Sequence, residues 1–329
     1  MDNRDIWVIA ECKDGVLRES SAELFTAAKT VTDVTGGGIT CVLLGADTMA
    51  QAAKEAAAYG AGRVICAESA ELREYSAVRY TAVLESLIRE YAPDAVMISA
   101  TGNGKDLAPR LARRLKTGIT ANCTELSADA KTGLISWNMP APGGIMATIL
   151  CEHTRPQMGT VCPGAFRKGE PDMLREAVVE TRSFSDLPDD GVTLVKRELT
   201  PKSTELDVAA ADIIVAGGRG LGSAENFELV RELARLLGAA VGASRAAVDM
   251  GWAEQKNLIG QTGKLVRPKL YIACGISGAL QHLVGVADAD CIVAINTDAN
   301  APINDVADYI VTGDAVAILR SMIDKLKNK

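Results

Sequence analysis

The chain has 329 residues, with 35 basic against 42 acidic side chains and a formal charge of −7. Apolar residues make up 48% and charged residues 23%, which excludes a disordered or low-complexity polypeptide and supplies core enough for about two domains without disulfide or metal staples. The acidic excess argues against a protein that grips nucleic acid through bulk charge, and the scarcity of aromatics, 4%, suits parallel strands packed between alanine-rich helices.

From the N-terminus, Met1–Ala10 carries a charge every few residues before a short β-prone run, the pattern of neither a secretory signal nor a transit peptide. Ile6–Ala10 reads as a strand, Ala22–Val34 as a helix with Leu24, Ala27, Ala28 and Val31 on one face, and Ile39–Leu44 as a strand. A helix over Asp47–Tyr59, a strand at Arg63–Cys66, a helix over Tyr75–Glu90 and a strand at Ala95–Ser99 follow. This alternation predicts a parallel sheet with helices on its faces, because parallel neighbours need crossover connections. The loop Ala100–Gly104 leads into a basic helical stretch, Lys105–Lys116. From Gly118 to about Arg182, short strands and turn signals such as Pro140–Gly144 and Cys162–Gly164 predict hairpins that complete a first domain. Ser183–Val208, polar and turn-rich at Pro188–Gly191 and Thr200–Thr204, predicts the linker, which divides the chain into domains 1–204 and 205–329. The second domain carries predicted strands at Asp212–Ala216, Lys269–Cys274, Asp290–Ile295 and Asp308–Val311. Its helices are Ala224–Leu237, with Phe227, Val230, Leu233 and Leu237 on one side, and Ala315–Leu326. The fold class is therefore α/β in two domains, and no short-period repeat suggests a solenoid or propeller.

No apolar run approaches the ~18 to 20 residues that span a bilayer, so a cytoplasmic protein is expected. The eight cysteines include no C-x₂-C pair, which argues against a zinc or iron–sulfur site, and they read as reduced, mostly buried small hydrophobes. Only two histidines occur, His153 and His282, and neither has a partner pattern for nucleophilic catalysis; no catalytic residue and no metal ligand is assigned.

Polar, glycine-dense clusters recur after the strands of the second domain. Gly217–Ser223 follows the first strand and leads into a helix, where main-chain N–H groups approach an anion, although it fits neither the Rossmann nor the Walker glycine spacing. Taken alone it reads equally as a tight turn with a solvated Arg219. Gly242–Asp249, Ile259–Gly263 and Gly275–His282 are the other clusters, and loops converging on one sheet edge are how open α/β sheets bind nucleotides. Ser277 and Gly278 are expected to open a helix that holds a pyrophosphate. Asn296 and Asp314 stand at the ends of the next two strands, as ribose ligands or as ordinary turn and cap residues.

The runs GGRGLGSAENF, VGASRAAVD, IGQTGK, RPKLYIACGISGALQH, IVAIN and API followed by VADY span residues 212–314 and resemble, in order, the FAD domain of the electron-transfer flavoprotein α subunit. The first domain is similar more loosely, through Gly104–Arg110 and Thr154–Val161. Asn304, where an aromatic is common, and Ile310, which follows Tyr309 without an intervening Gly, depart from the pattern. The resemblance implies a Rossmann-like, deoxyhypusine-synthase-like second domain that binds FAD. By the same resemblance Gly218, Arg219 and Gly220 approach the phosphates and ribityl chain; Ser244 and Arg245 lie by the isoalloxazine; and Ile259, Gly260, Gln261 and Thr262 line its N5 edge, where Thr262 would hydrogen-bond. Ser277, Gly278, Ala279, Leu280, Gln281 and His282 support the phosphates and the pyrimidine end, with His282 donating to a pyrimidine carbonyl, and Asn296, Asp314 and Ala315 hold the adenosine half. A guanidinium beside the ring stabilises negative charge on it, since arginine stays charged at any working pH.

What the resemblance implies about function is an electron carrier that works with a β subunit, contacted by the first domain, and with a flavin dehydrogenase of the acyl-CoA type. Lys105–Arg114, Arg155–Gln157 and Arg267–Cys274 look like the versions found with anaerobic acyl-CoA dehydrogenases, which implies bifurcation of NADH electrons, with ferredoxin as one acceptor. A simple shuttle is the alternative within the family. A non-redox nucleotide-binding module and an NAD-dependent enzyme of the related fold are the alternatives outside it.

Overall fold

The computed structural model describes residues 4–46, 49–141, 145–196, 198, 206–209 and 211–328. The chain forms two compact units, residues 1–197 and 198–329. The 204/205 boundary lies outside the described residues, as do Asp47 at the predicted start of the second helix, 142–144 of the predicted turn, and Thr200–Thr204.

The first unit is built on a seven-stranded parallel sheet in the order Val178–Ser183, Arg63–Glu68, Ile39–Gly45, Ile6–Ala10, Ala95–Ser99, Gln157–Val161, Ile119–Cys123. Its central strands are apolar on both faces because helices cover both, and Ile6–Ala10 and Ala95–Ser99 are buried along their whole length. The helix Ala77–Tyr91 shows how the sequence writes these covers. The Ser76 hydroxyl accepts from the Arg79 N–H at its start, Ala92 ends it in the left-handed region, and Val83, Leu84, Leu87 and Ile88 face the core. Each such buried leucine contributes roughly 1.5–3 kcal/mol.

Three expectations for this unit change. The helix predicted from Lys105 starts at Gly102, because the Thr101 hydroxyl accepts from the Gly104 N–H and draws the loop into the first turn. Of the predicted hairpins, only Glu125–Ala128, Ile135–Ala141 and Ile145–Ile149 pair antiparallel; Ile119–Cys123, Gln157–Val161 and Val178–Ser183 join the parallel sheet. Finally, the first part of the predicted linker belongs to this unit. Phe184 and Leu187 pack on its core, and Arg79 pairs with Asp190 at 3.6 Å.

The second unit holds a five-stranded parallel sheet in the order Ala240–Ala243, Ile213–Gly217, Leu270–Cys274, Ile292–Asn296, Tyr309–Thr312. Ala240–Ala243 is absent from the predicted strands; at four residues, Ala-Val-Gly-Ala, it is too short to show a strand period. The helix Ala224–Leu237 is capped by the Ser223 hydroxyl and stopped by left-handed Gly238, and it packs with Ala315–Lys327 on one face of the sheet. Among the described residues no helix is long and apolar enough to cross a membrane.

Candidate functional site

In the second sheet the chain runs outward in both directions from Ile213–Gly217, so the order of strands reverses between that strand and Leu270–Cys274. Ligands of open α/β sheets sit at this point, outside the carboxyl ends of the strands. The two loops that leave it are locked together: Gly218 donates its N–H to the Cys274 carbonyl and Gly220 donates to the Gly275 carbonyl, both at 2.9 Å. A Cβ on Gly218 would stand 2.3 Å from the Gly275 oxygen, so this approach requires glycine. The neighbouring strand ends join through Ser244 N–H to Gly217 O (3.0 Å), Gly275 N–H to Ile295 O (2.9 Å) and Gly313 N–H to Asn296 O (2.9 Å). A further loop, 259–263, hangs from Ala243 through the Ile259 N–H and meets the Gly275–His282 segment where Gln261 N–H donates to the Gln281 carbonyl at 2.7 Å. The four glycine clusters therefore share one edge.

The predicted site residues divide by what they already bond. The main-chain N–H groups of Ser277, Gly278, Ala279, Leu280 and Gln281 make no hydrogen bond to any described residue, and neither do the side chains of Arg219, Gln261, Thr262, Ser277 and Gln281, all exposed. Successive unpaired amides form an anion-binding concavity, and Arg219 stands in the loop whose main chain is bonded to Gly275, two residues before them, where a fixed charge would add to it. Ser277 and Gly278 do not open a helix, contrary to expectation. They precede a single turn, Leu280–Leu283, because left-handed Gly278 passes under Ile303 and turns the chain away from helical geometry.

The remaining predicted residues are committed within the protein. The Ser244 hydroxyl accepts from the Ala247 N–H, and the Arg245 Nε pairs with Asp249 at 2.7 Å. Arg245 and Asp249 are both well exposed, so the pair holds the guanidinium by about 1 kcal/mol or less and releases it readily. Asn296 Nδ2 donates to the Ile276 carbonyl while its Oδ1 accepts from the Asp298 N–H. Asp314 caps the last helix by accepting from the Val316 N–H, and Ala315 is that helix's buried first residue. Asn304 closes its loop, its Nδ2 donating to the Ala299 carbonyl at 3.0 Å.

His282 is buried, with Nε2 2.9 Å from the Tyr271 hydroxyl and Nδ1 3.1 Å from the Ile259 carbonyl oxygen. Both ring nitrogens are spoken for, so the expected donation to a pyrimidine carbonyl has no proton to make it in this arrangement. Burial pushes the imidazole pKa down to about 4, which keeps the ring neutral. Tyr271 and Asp249 were absent from the sequence-based site. Asp249 carries a legible i,i+4 signal, whereas Tyr271 meets His282 only through the fold.

An open parallel sheet whose reversal point carries unpaired amides and an uncommitted arginine defines a dinucleotide-binding class of protein. The profile of the electron transfer flavoprotein domain matches residues 6–187, and that of the electron transfer flavoprotein FAD-binding domain matches residues 207–287. Protein FixB of Clostridium saccharobutylicum is 44% identical over 99% of this chain and 97% of its own length. The electron transfer flavoprotein subunit alpha of Megasphaera elsdenii is 42% identical over 99% of this chain and 97% of its own. The acryloyl-CoA reductase electron transfer subunit beta of Anaerotignum propionicum is 38% identical over 98% and 96%. The chain belongs to the electron transfer flavoprotein α-subunit (FixB) family, and its cofactor is FAD. The donor set fits that cofactor: unpaired amides and Arg219 suit a pyrophosphate, and the half-exposed apolar Leu280 beside Ala279 suits an aromatic ring system.

Proposed function

We propose that residues 205–329 hold one FAD at the carboxyl edge of the five-stranded sheet, that residues 1–204 contact a β subunit, and that the pair exchanges single electrons with an acyl-CoA-type flavin dehydrogenase. The unpaired amide run Ser277–Gln281 beside Arg219 carries this reading, because nothing else in the described chain satisfies those donors. When bound, FAD supplies a ring that takes up and releases electrons one at a time. The chain's own part is to hold and tune it. Arg219 and the Ser277–Gln281 amides bind the phosphates, Gly218 and Gly220 let the two loops approach closely enough to frame them, Thr262 offers a hydroxyl to the ring edge, and Arg245, leaving Asp249, sets a positive charge against the ring. Asn296, Asp314 and Ala315 flank the adenosine half with main-chain groups, since both side chains already serve the fold.

The coupling to NADH and ferredoxin through the β subunit, as electron bifurcation, belongs to the same proposal; the relative named as an acryloyl-CoA reductase electron transfer subunit favours the acyl-CoA partner. The test is to count flavin per α–β pair and follow NADH-driven ferredoxin reduction with and without the acyl-CoA substrate. Two FAD and substrate-dependent ferredoxin reduction are expected; one FAD and no NADH oxidation overturns bifurcation in favour of the simple shuttle. Arg245→Ala should lower the potential at which the first electron enters, and an unchanged potential removes Arg245 from the ring.

A further inference from the structure

Tyr271 lies in the strand Leu270–Cys274 with no exposed surface, one residue pair in from the strand's start, and its hydroxyl meets His282 at 2.9 Å. A carbonyl oxygen only accepts, so the 3.1 Å contact from His282 to Ile259 places the imidazole proton on Nδ1. Nε2 is then the acceptor and the tyrosine hydroxyl the donor. The bonds run one way, from Tyr271 through His282 to Ile259, with every polar atom satisfied.

This chain of bonds crosses the seam between the two segments that carry most of the uncommitted donors. The seam also holds the Gln261-to-Gln281 bond at 2.7 Å and the Val266 N–H bonded to the Gly285 carbonyl at 2.8 Å. Gly260, at φ +135°, passes so close that a Cβ would stand 2.6 Å from the Gln281 oxygen. Two apolar side chains of the same size would fill this space without desolvating polar groups. What the tyrosine–histidine couple adds is direction: its bonds are satisfied in a single register of one loop against the other.

We propose that Tyr271 is a positioning residue of the flavin site, which acts through His282 to hold Ile259–Thr262 in register with the Ser277–Gln281 amides so that the donors of both segments converge on one ligand. The proposal rests on the FAD reading above. Tyr271 itself touches no ligand.

The full-length chain, labelled with ¹⁵N-histidine and paired with an unlabelled β subunit, offers only two labelled imidazoles, His153 and His282, and His153→Gln assigns them. The expected spectrum has His282 in the Nδ1–H form with a hydrogen-bonded Nε2. Tyr271→Phe keeps the ring and removes the donor. It should move the Nε2 resonance to that of an unbonded acceptor, speed amide exchange at Gln261 about tenfold, shift the first flavin reduction potential, and leave exchange in the Ala224–Leu237 helix unchanged. Because Tyr271→Phe leaves a buried acceptor unpaired and could fail to fold, His282→Asn and His282→Gln form a second test. The amide nitrogen of asparagine stands where Nδ1 stood and still reaches Ile259, so His282→Asn should hold FAD about tenfold more tightly than His282→Gln. An Nε2–H tautomer in the wild type, or FAD-loaded Tyr271→Phe with unchanged exchange and potential, overturns the positioning role alone. Equal FAD affinity of the two His282 variants does the same. A wild-type pair that takes up no FAD at residues 205–329 overturns the functional reading, and the positioning role with it.

Discussion

In the first unit the chain order reverses between Ile6–Ala10 and Ala95–Ser99, in the second between Ile213–Gly217 and Leu270–Cys274, so each sheet has a crevice at the carboxyl ends of its strands. In the first, the crevice residue is Glu11. Its carboxylate accepts from the Thr101 hydroxyl, pairs with Arg18 at 3.6 Å, and stands at the start of the helix Gly102–Leu115. A side chain of the protein thus supplies the negative charge that a helix start favours. In the second, the corresponding loops carry no carboxylate and leave the five amides of Ser277–Gln281 and the Arg219 side chain open among the described residues. The same architecture is closed by its own carboxylate in one unit and left with open amides in the other.

The largest break in this comparison is Gly218→Val. Its Cβ has no room against Gly275, so the second unit should lose about 3 kcal/mol of stability and its FAD, whereas Gly102→Ala in the first unit, where a Cβ meets nothing within 4 Å, should be neutral. Urea unfolding and retained flavin absorbance read both.

Acid sharpens the contrast next. The His282 pKa is lowered from 6.5 to about 4, so the unfolded chain binds the proton first as pH falls. Stability is full above pH 6.5 and falls between 6.5 and 4, by about 3 kcal/mol at the low end. His282 lies in the second unit, so His282→Gln should flatten that unit's urea midpoint between pH 7 and 4.5. Arg219→Ala comes third: without the fixed charge beside the amides, FAD affinity should fall roughly 10- to 100-fold in a fluorescence titration, with little change in unfolding midpoint. The smallest effect is that of Glu11→Gln, which keeps a hydrogen bond to Thr101 but gives up the charge; about 1 kcal/mol of the first unit's stability should go, with no gain of flavin.

Local signals carried most of the reading from sequence. Ala224–Leu237 is recovered to the residue because its periodicity is bracketed by a serine cap and a left-handed glycine, both written in the chain. The glycine clusters are legible beside predicted strands because glycine and polar density itself marks the turns. Gln157–Val161 was misread as part of a hairpin because its partner, Ala95–Ser99, lies some sixty residues away and leaves no turn signal. In the site, Asn296 and Asp314 could be read as ligands or caps, and only their bonded partners separate the two. Tyr271 and His282 sit on a strand and a helical turn eleven residues apart, a pairing that no local period marks.

The strand order of the second sheet also bears on how the protein is made. Ile213–Gly217 has Ala240–Ala243 on one side early, but its other neighbour, Leu270–Cys274, begins 57 residues further on than residue 213. At a synthesis rate of about 5–20 residues per second that edge stays bare for roughly 3 to 11 s, and the Ser277–Gln281 amides come later still. The amide cradle is therefore absent from the nascent chain until residue 281 has been added. A ligand of these amides finds its cradle only after the first unit and three strands of the second sheet have been made.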